Sequence, residues 1–133
     1  MANTPLNQVR FTISNVVDVV KARRRGLVVA TEMGLHPAEA NKIAVVISEL
    51  GRNIEQYAGE GVITLTVYDK YVEIIAEDQG PGIPDVARVL AGGYTTSQGM
   101  GLGISGSKRL MDEFEIQSVV GKGTTIRALK RLR

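Results

Sequence analysis

Four separated segments of this 133-residue chain carry side chains able to do chemistry. Glu49 and Asn53 stand four residues apart, which makes them neighbours on one face of a helix. At about 100° per residue, both fall at the flank of an apolar stripe and not opposite it. A carboxylate and an amide so placed can point into a cleft. The amide oxygen of Asn53 is a hard ligand suited to magnesium, a cation that keeps most of its waters. Glu49 can accept a proton from an attacking hydroxyl or water. Taken alone, however, Glu-x-x-x-Asn reads first as an ordinary solvated helix face.

Asp78 follows a hydrophobic run and opens Asp78-Gln-Gly80-Pro-Gly82-Ile83-Pro84. Gly80 and Gly82 let the backbone bend sharply and approach a flat ligand, and a pocket carboxylate can accept from the exocyclic amine of adenine. Pro-Gly also marks simple turns. Further on, Gly99, Gly101 and Gly103 precede a helix, where free amides and the positive helix end form a cradle for phosphate. The stretch Gly101-Leu-Gly103-Ile-Ser-Gly106 matches the dinucleotide fingerprint, but it follows a loop instead of a strand and lies outside any βαβ unit. Gly106-Ser107-Lys108 is likewise not the end of a Walker A loop, because Ser107 separates glycine from lysine. Gly121-Lys-Gly123-Thr124 reads as a hairpin turn whose Thr124 hydroxyl could assist Asp78, directly or through a water.

The elements that must position these groups are marked by periodicity. Val9 to Ile13 alternates as a half-buried strand does. Asn15 can cap a helix running to about Met33, with Gly34 as terminator. His36 caps a second helix that starts at Pro37, repeats Ile43, Val46, Ile47, Leu50, Ile54 and Tyr57 at helical spacing, and stops at Gly59. Two alternating runs, Val62 to Tyr68 and Val72 to Glu77, form a hairpin around Asp69-Lys70. A short helix over Asp85 to Leu90, a glycine-rich loop over Gly92 to Met100 and a helix over Leu102 to Asp112 come next, with Ile104, Leu110 and Met111 facing the core. A last hairpin, Glu115 to Val119 and Thr125 to Leu132, completes an α+β two-layer sandwich: a mixed, mainly antiparallel sheet covered by helices on one face.

Composition narrows the chemistry. Cysteine is absent, so disulfides and thiolate metal sites are excluded, and a zinc site would need carboxylates around the single histidine, His36. Only 5% of residues are aromatic, and no basic run is interleaved with them, so stacking on nucleic-acid bases has little support despite the net charge of +2. No stretch approaches the roughly 20 apolar residues of a membrane span. Met1 to Gln8 lacks the regions of a signal peptide, so the expected location is cytoplasmic. One domain over residues 1–133 is expected at this length. Arg23, Arg24 and Arg25 read as a solvated helix face or a partner surface, and Lys108 and Arg109 stand near the cradle helix.

In order, Glu49/Asn53, Asp78-x-Gly80-x-Gly82, Gly99-x-Gly101-Leu-Gly103 and Gly123-Thr124 resemble the ATP-binding boxes of the GHKL superfamily, which includes gyrase, heat-shock chaperone ATPases and histidine kinases. Ser48-Glu-Leu-Gly-Arg-Asn-Ile54, Ala76-Glu-Asp-Gln-Gly-Pro-Gly-Ile-Pro84 and Lys108-Arg-Leu-Met-Asp-Glu-Phe114 are similar to the RsbT-type serine/threonine kinases of the bacterial stressosome. That resemblance implies ATP and Mg²⁺ as cofactors. It further implies phosphorylation of STAS-domain scaffold and antagonist proteins, then release to a downstream regulator such as a phosphatase. It makes Glu49 the catalytic base, Asn53 the magnesium ligand and Asp78 the adenine anchor. Gly80, Gly82, Ile83 and Thr124 would shape the base pocket, and Gly99, Gly101, Leu102 and Gly103 would wrap the phosphates. An anti-sigma factor kinase and a nucleotide-gated binding module are the alternatives. Gly51, inside the helix of Glu49 and Asn53, departs from helix propensity by about 1 kcal/mol relative to alanine. No histidine suits a phosphoacceptor role.

Overall fold

The computed structural model describes residues 4–91 and 103–132. Its elements run β1 (Asn7–Ile13), α1 (Val16–Glu32), α2 (Pro37–Tyr57), β2 (Gly61–Val67), β3 (Tyr71–Asp78), α3 (Val86–Leu90), α4 (Gly103–Leu110), β4 (Glu113–Val119) and β5 (Gly123–Arg131). The five strands lie in the order β1-β2-β3-β5-β4. All four pairings are antiparallel, so the sheet is not mixed as the sequence pattern suggested. Short turns join β2 to β3 and β4 to β5, as antiparallel neighbours allow, whereas β1 reaches β2 only after α1 and α2, and β3 pairs with β5 across α3, α4 and β4.

The caps form as the sequence requires. The Asn15 side chain accepts the Asp18 amide at 2.9 Å, and His36 Nδ1 accepts the Ala38 amide at 3.1 Å with Pro37 at the first helical position. His36 is thus a capping residue. Asp85 caps α3 in the same way, through the Arg88 amide. Met33 and Ala58 close α1 and α2, and the glycines that follow them both adopt positive φ.

One face of the sheet is apolar: Ile63 and Leu65 on β2, Val72, Ile74 and Ala76 on β3, and Ile126 and Ala128 on β5 are all buried. Against it lies α2 through Ile43, Ile47, Leu50 and Ile54, each no more than 1% exposed. A fully buried Ile or Leu contributes roughly 1.5–3 kcal/mol, so this row easily outweighs the cost of Gly51. The glycine also has a purpose. A Cβ at Gly51 would stand 3.2 Å from Val19 of α1, and one at Gly26 would stand 2.4 Å from Ile47 Cδ1. These two glycines let α1 lie close along α2. The opposite sheet face is polar, with the Arg127 guanidinium held by Glu73 and Glu113. On α1, Val16, Val17, Val20 and Val28 stay exposed, as do Arg23, Arg24 and Arg25. No helix among the described residues is long and apolar enough to cross a membrane.

Glu39, in the first turn of α2, ties the helical layer to the sheet. It accepts from Lys130 of β5 at 2.9 Å and from Lys42 at 3.0 Å. The Lys130 hydrogen bond, followed by that of Lys42, holds the Glu39 carboxyl below the usual carboxylate range. Because the folded value lies below the unfolded one, the stabilisation is complete above the ordinary glutamate range and is lost as pH falls through the depressed value. Glu39→Gln is therefore expected to lower stability slightly at neutral pH and to flatten the acid limb of the denaturation midpoint against pH. A variant profile running parallel to that of the native chain would rule this linkage out.

Candidate nucleotide site

A cavity of about 320 Å³ opens where the C-terminal half of α2 meets the end of β3 and the start of β5. Its walls include Tyr57, Ile83, Val89 and Ile104, and its polar groups include Asn53, Asp78 and Thr124. The shape and lining suit a flat, largely apolar group with one polar edge. Tyr57 is a correction to the sequence reading, which aligned it with the core stripe. It is 39% exposed and lines the cavity. Its spacing from Asn53 repeats that of Asn53 from Glu49, but its spacing from Ile54 fits the core stripe equally.

Asp78 is the last residue of β3, not a residue beyond it, and it stands opposite Thr124 in the β3–β5 register. Both side chains fall on the apolar face, next in sequence of pleat after Ala76 and Ile126. Asp78 Oδ1 accepts the Gly80 amide at 2.9 Å, which turns the chain back at once. Among the described residues Oδ2 has no partner, so it is the carboxylate oxygen left for a ligand. The following loop crosses the β4–β5 hairpin. Gly82 has φ +80, and a Cβ there would meet the Val119 carbonyl oxygen at 2.5 Å. The Gly121 amide donates to the Pro81 carbonyl at 2.8 Å, and the Ile83 amide to Ser118 Oγ at 2.7 Å. Ser118 was not singled out by any motif; its one signal is a polar residue at an inward strand position.

Glu49 and Asn53 share the inner flank of α2, and both are half-buried. Asn53 lines the cavity, whereas Glu49 points past it to α4: Glu49 Oε1 accepts the Gly103 amide at 3.0 Å. A carboxylate at a helix N-terminus is favoured by the unpaired amides there. Gly103, at φ +69, is the one described member of the expected phosphate cradle. Gly99, Gly101 and Leu102 lie outside the described residues, as does the loop over Gly92 to Met100. Lys108 and Arg109 are exposed in the last turn of α4.

The geometry also tests the implied ligands. The cavity is of a size for a planar ring, with apolar walls and the Asp78 carboxylate at one edge. Among the described residues no group of three or more His, Cys, Asp or Glu could hold a metal ion. Asn53 supplies a single amide oxygen, so a cation there would keep water and phosphate as its other ligands, which suits magnesium.

The sequence pattern of the histidine kinase-, DNA gyrase B- and HSP90-like ATPases matches residues 38–133, from the first turn of α2 onward. This chain belongs to that ATPase family. Among relatives, it is 52% identical over 120 residues to the serine/threonine-protein kinase RsbT of Bacillus subtilis, covering 87% of this chain and 90% of that protein. It is 33% identical over 116 residues to the anti-sigma F factor of Caldanaerobacter subterraneus, covering 80% of this chain and 81% of the other. The crystal structure of the RsbU and RsbW domains of a Mycobacterium tuberculosis protein superposes with a TM-score of 0.71 over 97% of this chain at 17% identity. The chain spans 33% of that longer one, and the likeness establishes the ATPase-family fold.

Two glycines of the β4–β5 hairpin separate backbone strain from close approach. Gly123 has φ +140, and a Cβ there would lie 2.1 Å from the Asp78 carbonyl oxygen, whereas Gly121, at φ +82, has nothing within 4 Å. Gly121→Ala is expected to cost the ~1–3 kcal/mol of an unfavourable backbone region. Gly123→Ala should cost clearly more in urea denaturation, and equal costs would show that the approach to Asp78 is not tight.

Proposed function

We propose that this chain is an ATP-dependent serine/threonine protein kinase acting on STAS-domain scaffold and antagonist proteins of a stressosome. In this reading, the whole span 1–133 works as one nucleotide-binding domain in the cytoplasm and passes afterwards to a downstream regulator such as a phosphatase. The observation that carries the nucleotide reading is the pairing of Asp78 with Thr124 at one edge of an apolar cavity whose other side holds Asn53. The 52% identity to a protein named as a serine/threonine kinase supports the direction of transfer.

Bound ATP with Mg²⁺ would supply the transferable phosphoryl group and neutralise its charge. The chain's own groups would do the rest. Asp78 would accept from the adenine amine, and the apolar walls would exclude water from the ring. Asn53 would hold the hydrated cation from the α2 side. Glu49 would exchange the Gly103 amide for the hydroxyl of the partner's Ser or Thr and take its proton as the new O–P bond forms and the bond from the γ-phosphorus to the bridging oxygen breaks, releasing ADP. Gly99, Gly101, Leu102 and Gly103 would lie along the phosphates.

Glu49→Ala is expected to keep ATP binding while transfer falls by about 10²–10⁴, the usual loss on removing a general base. The assay is labelled ATP with purified STAS-domain proteins, and unchanged turnover would remove Glu49 from the mechanism. Asp78→Asn should weaken ATP about tenfold or more, since a hydrogen bond to a charged group is worth roughly 1.5–3 kcal/mol; equal affinity by calorimetry would refute the adenine assignment. The similarity to anti-sigma F factors favours one second reading, a kinase that also holds a sigma factor. Recovery of a sigma factor in a pull-down, with no transfer to STAS proteins of a stressosome, would select it.

A further inference from the structure

The polar edge of the cavity has a third member behind it. Ser118 stands opposite Thr124 in the β4–β5 register, as Thr124 stands opposite Asp78 on β3. Phe114 and Ile116, at the preceding inward positions of β4, both pack against the core. The serine therefore ends an apolar row at the point where the neighbouring strands carry Asp78 and Thr124. Ser118 does not line the cavity, so any effect it has on a ligand passes through another residue.

Its hydroxyl has three neighbours within hydrogen-bond reach. The Ile83 amide donates to Ser118 Oγ at 2.7 Å, Thr124 Oγ1 lies at 2.8 Å, and the Gly123 carbonyl oxygen accepts at 3.2 Å. Ser118 has one proton to give, so two arrangements satisfy the cluster. In the first, Ser118 donates to Gly123 and Thr124 donates to Ser118, leaving Thr124 with only lone pairs for the cavity. In the second, Ser118 donates to Thr124, and the Thr124 proton turns towards the cavity. A ligand edge that sets a donor beside an acceptor selects the second arrangement, because Asp78 takes the donor and only a protonated hydroxyl can meet the acceptor. Thr124 is 6% exposed, so water competes poorly for that proton.

We propose that Ser118 is a positioning residue for nucleobase recognition: it donates to Thr124 and so turns the Thr124 hydroxyl into a donor for a ring nitrogen beside an exocyclic amine. The contact is direct, and the Ser118 oxygen meanwhile holds the Ile83 backbone at the cavity wall. The inference rests on the nucleotide reading of the cavity and adds the residue that sets its hydrogen-bond polarity. Adenine has that polarity. Guanine reverses it, placing a carbonyl oxygen against Asp78 and an N–H against Thr124.

The test is calorimetric titration of the chain with ADP and with 1-deaza-ADP, which lacks the ring-nitrogen acceptor but keeps the amine. The native chain is expected to prefer ADP by about tenfold, the worth of one hydrogen bond. Ser118→Ala should reduce this preference to about threefold or less, as Thr124 loses the partner that orients its proton. Ser118→Thr, which keeps the hydroxyl, should restore it. Thr124→Val should abolish the preference, and adding Ser118→Ala to it should change nothing further. If Ser118→Ala fails to fold, Ser118→Cys, with its weaker donor, reads the same ratio. A Ser118→Ala chain that binds both ligands more weakly by one common factor overturns the positioning role and leaves a structural one. Native binding to both ligands with equal affinity overturns the donor role of Thr124, and native binding to neither overturns the nucleotide reading together with this inference.

Discussion

The site depends on how closely the first residue of β5 approaches the last residue of β3. A Cβ on Gly123 would stand 2.1 Å from the Asp78 carbonyl oxygen, so only glycine lets the strands meet there. That contact pins the register in which Asp78 faces Thr124 and Thr124 faces Ser118. A slip of one residue would turn each of these side chains to the opposite sheet face. The polar edge would then lie in solvent, and the cavity would lose Asp78 and Thr124. Burial of the rest of the row, from Ile74 and Ala76 to Ile126 and Ala128, holds the same register from the other end.

Across the cavity, α2 serves two layers at once. Its core face carries Ile43, Ile47, Leu50 and Ile54, while its flank carries Glu49, Asn53 and Tyr57 one turn apart. Polar groups at the edge of a buried surface need partners. The Gly103 amide meets that need for Glu49, and it also satisfies one of the free amides at the start of α4. Glycines at 26 and 51 bring α1 close behind this helix. The flank that faces the cavity is therefore backed by a packed pair of helices and not by a single one, which suits a site whose groups must hold fixed positions.

Local signals in the sequence were sufficient for most elements. Asn15 and His36 with Pro37 mark helix starts, Gly34 and Gly59 mark their ends, and strict alternation marks the hairpin strands, because caps and pleats are set by neighbours a few residues away. The chemistry of Glu49, Asn53, Asp78 and Thr124 was equally legible, since a residue's donors, acceptors and charge travel with its type. Tyr57 escaped because spacing cannot tell a core residue from one lining a cavity on the same flank. Ser118 escaped because a lone serine in a strand has no motif.

Local patterns by themselves could not decide which distant groups meet; the expectation that Asp78 and Thr124 share a site came with the family resemblance. Asp78 and Thr124 are far apart along the chain and adjacent only through the β3–β5 pairing, and the Glu49–Gly103 contact joins two helices. The strand order and the wholly antiparallel sheet likewise come from long-range pairing. Such contacts depend on loop closure and on the simultaneous packing of several elements, and no local pattern encodes either. The chain's residues thus specified the elements and the available chemistry, and the tertiary fold brought that chemistry to one cavity.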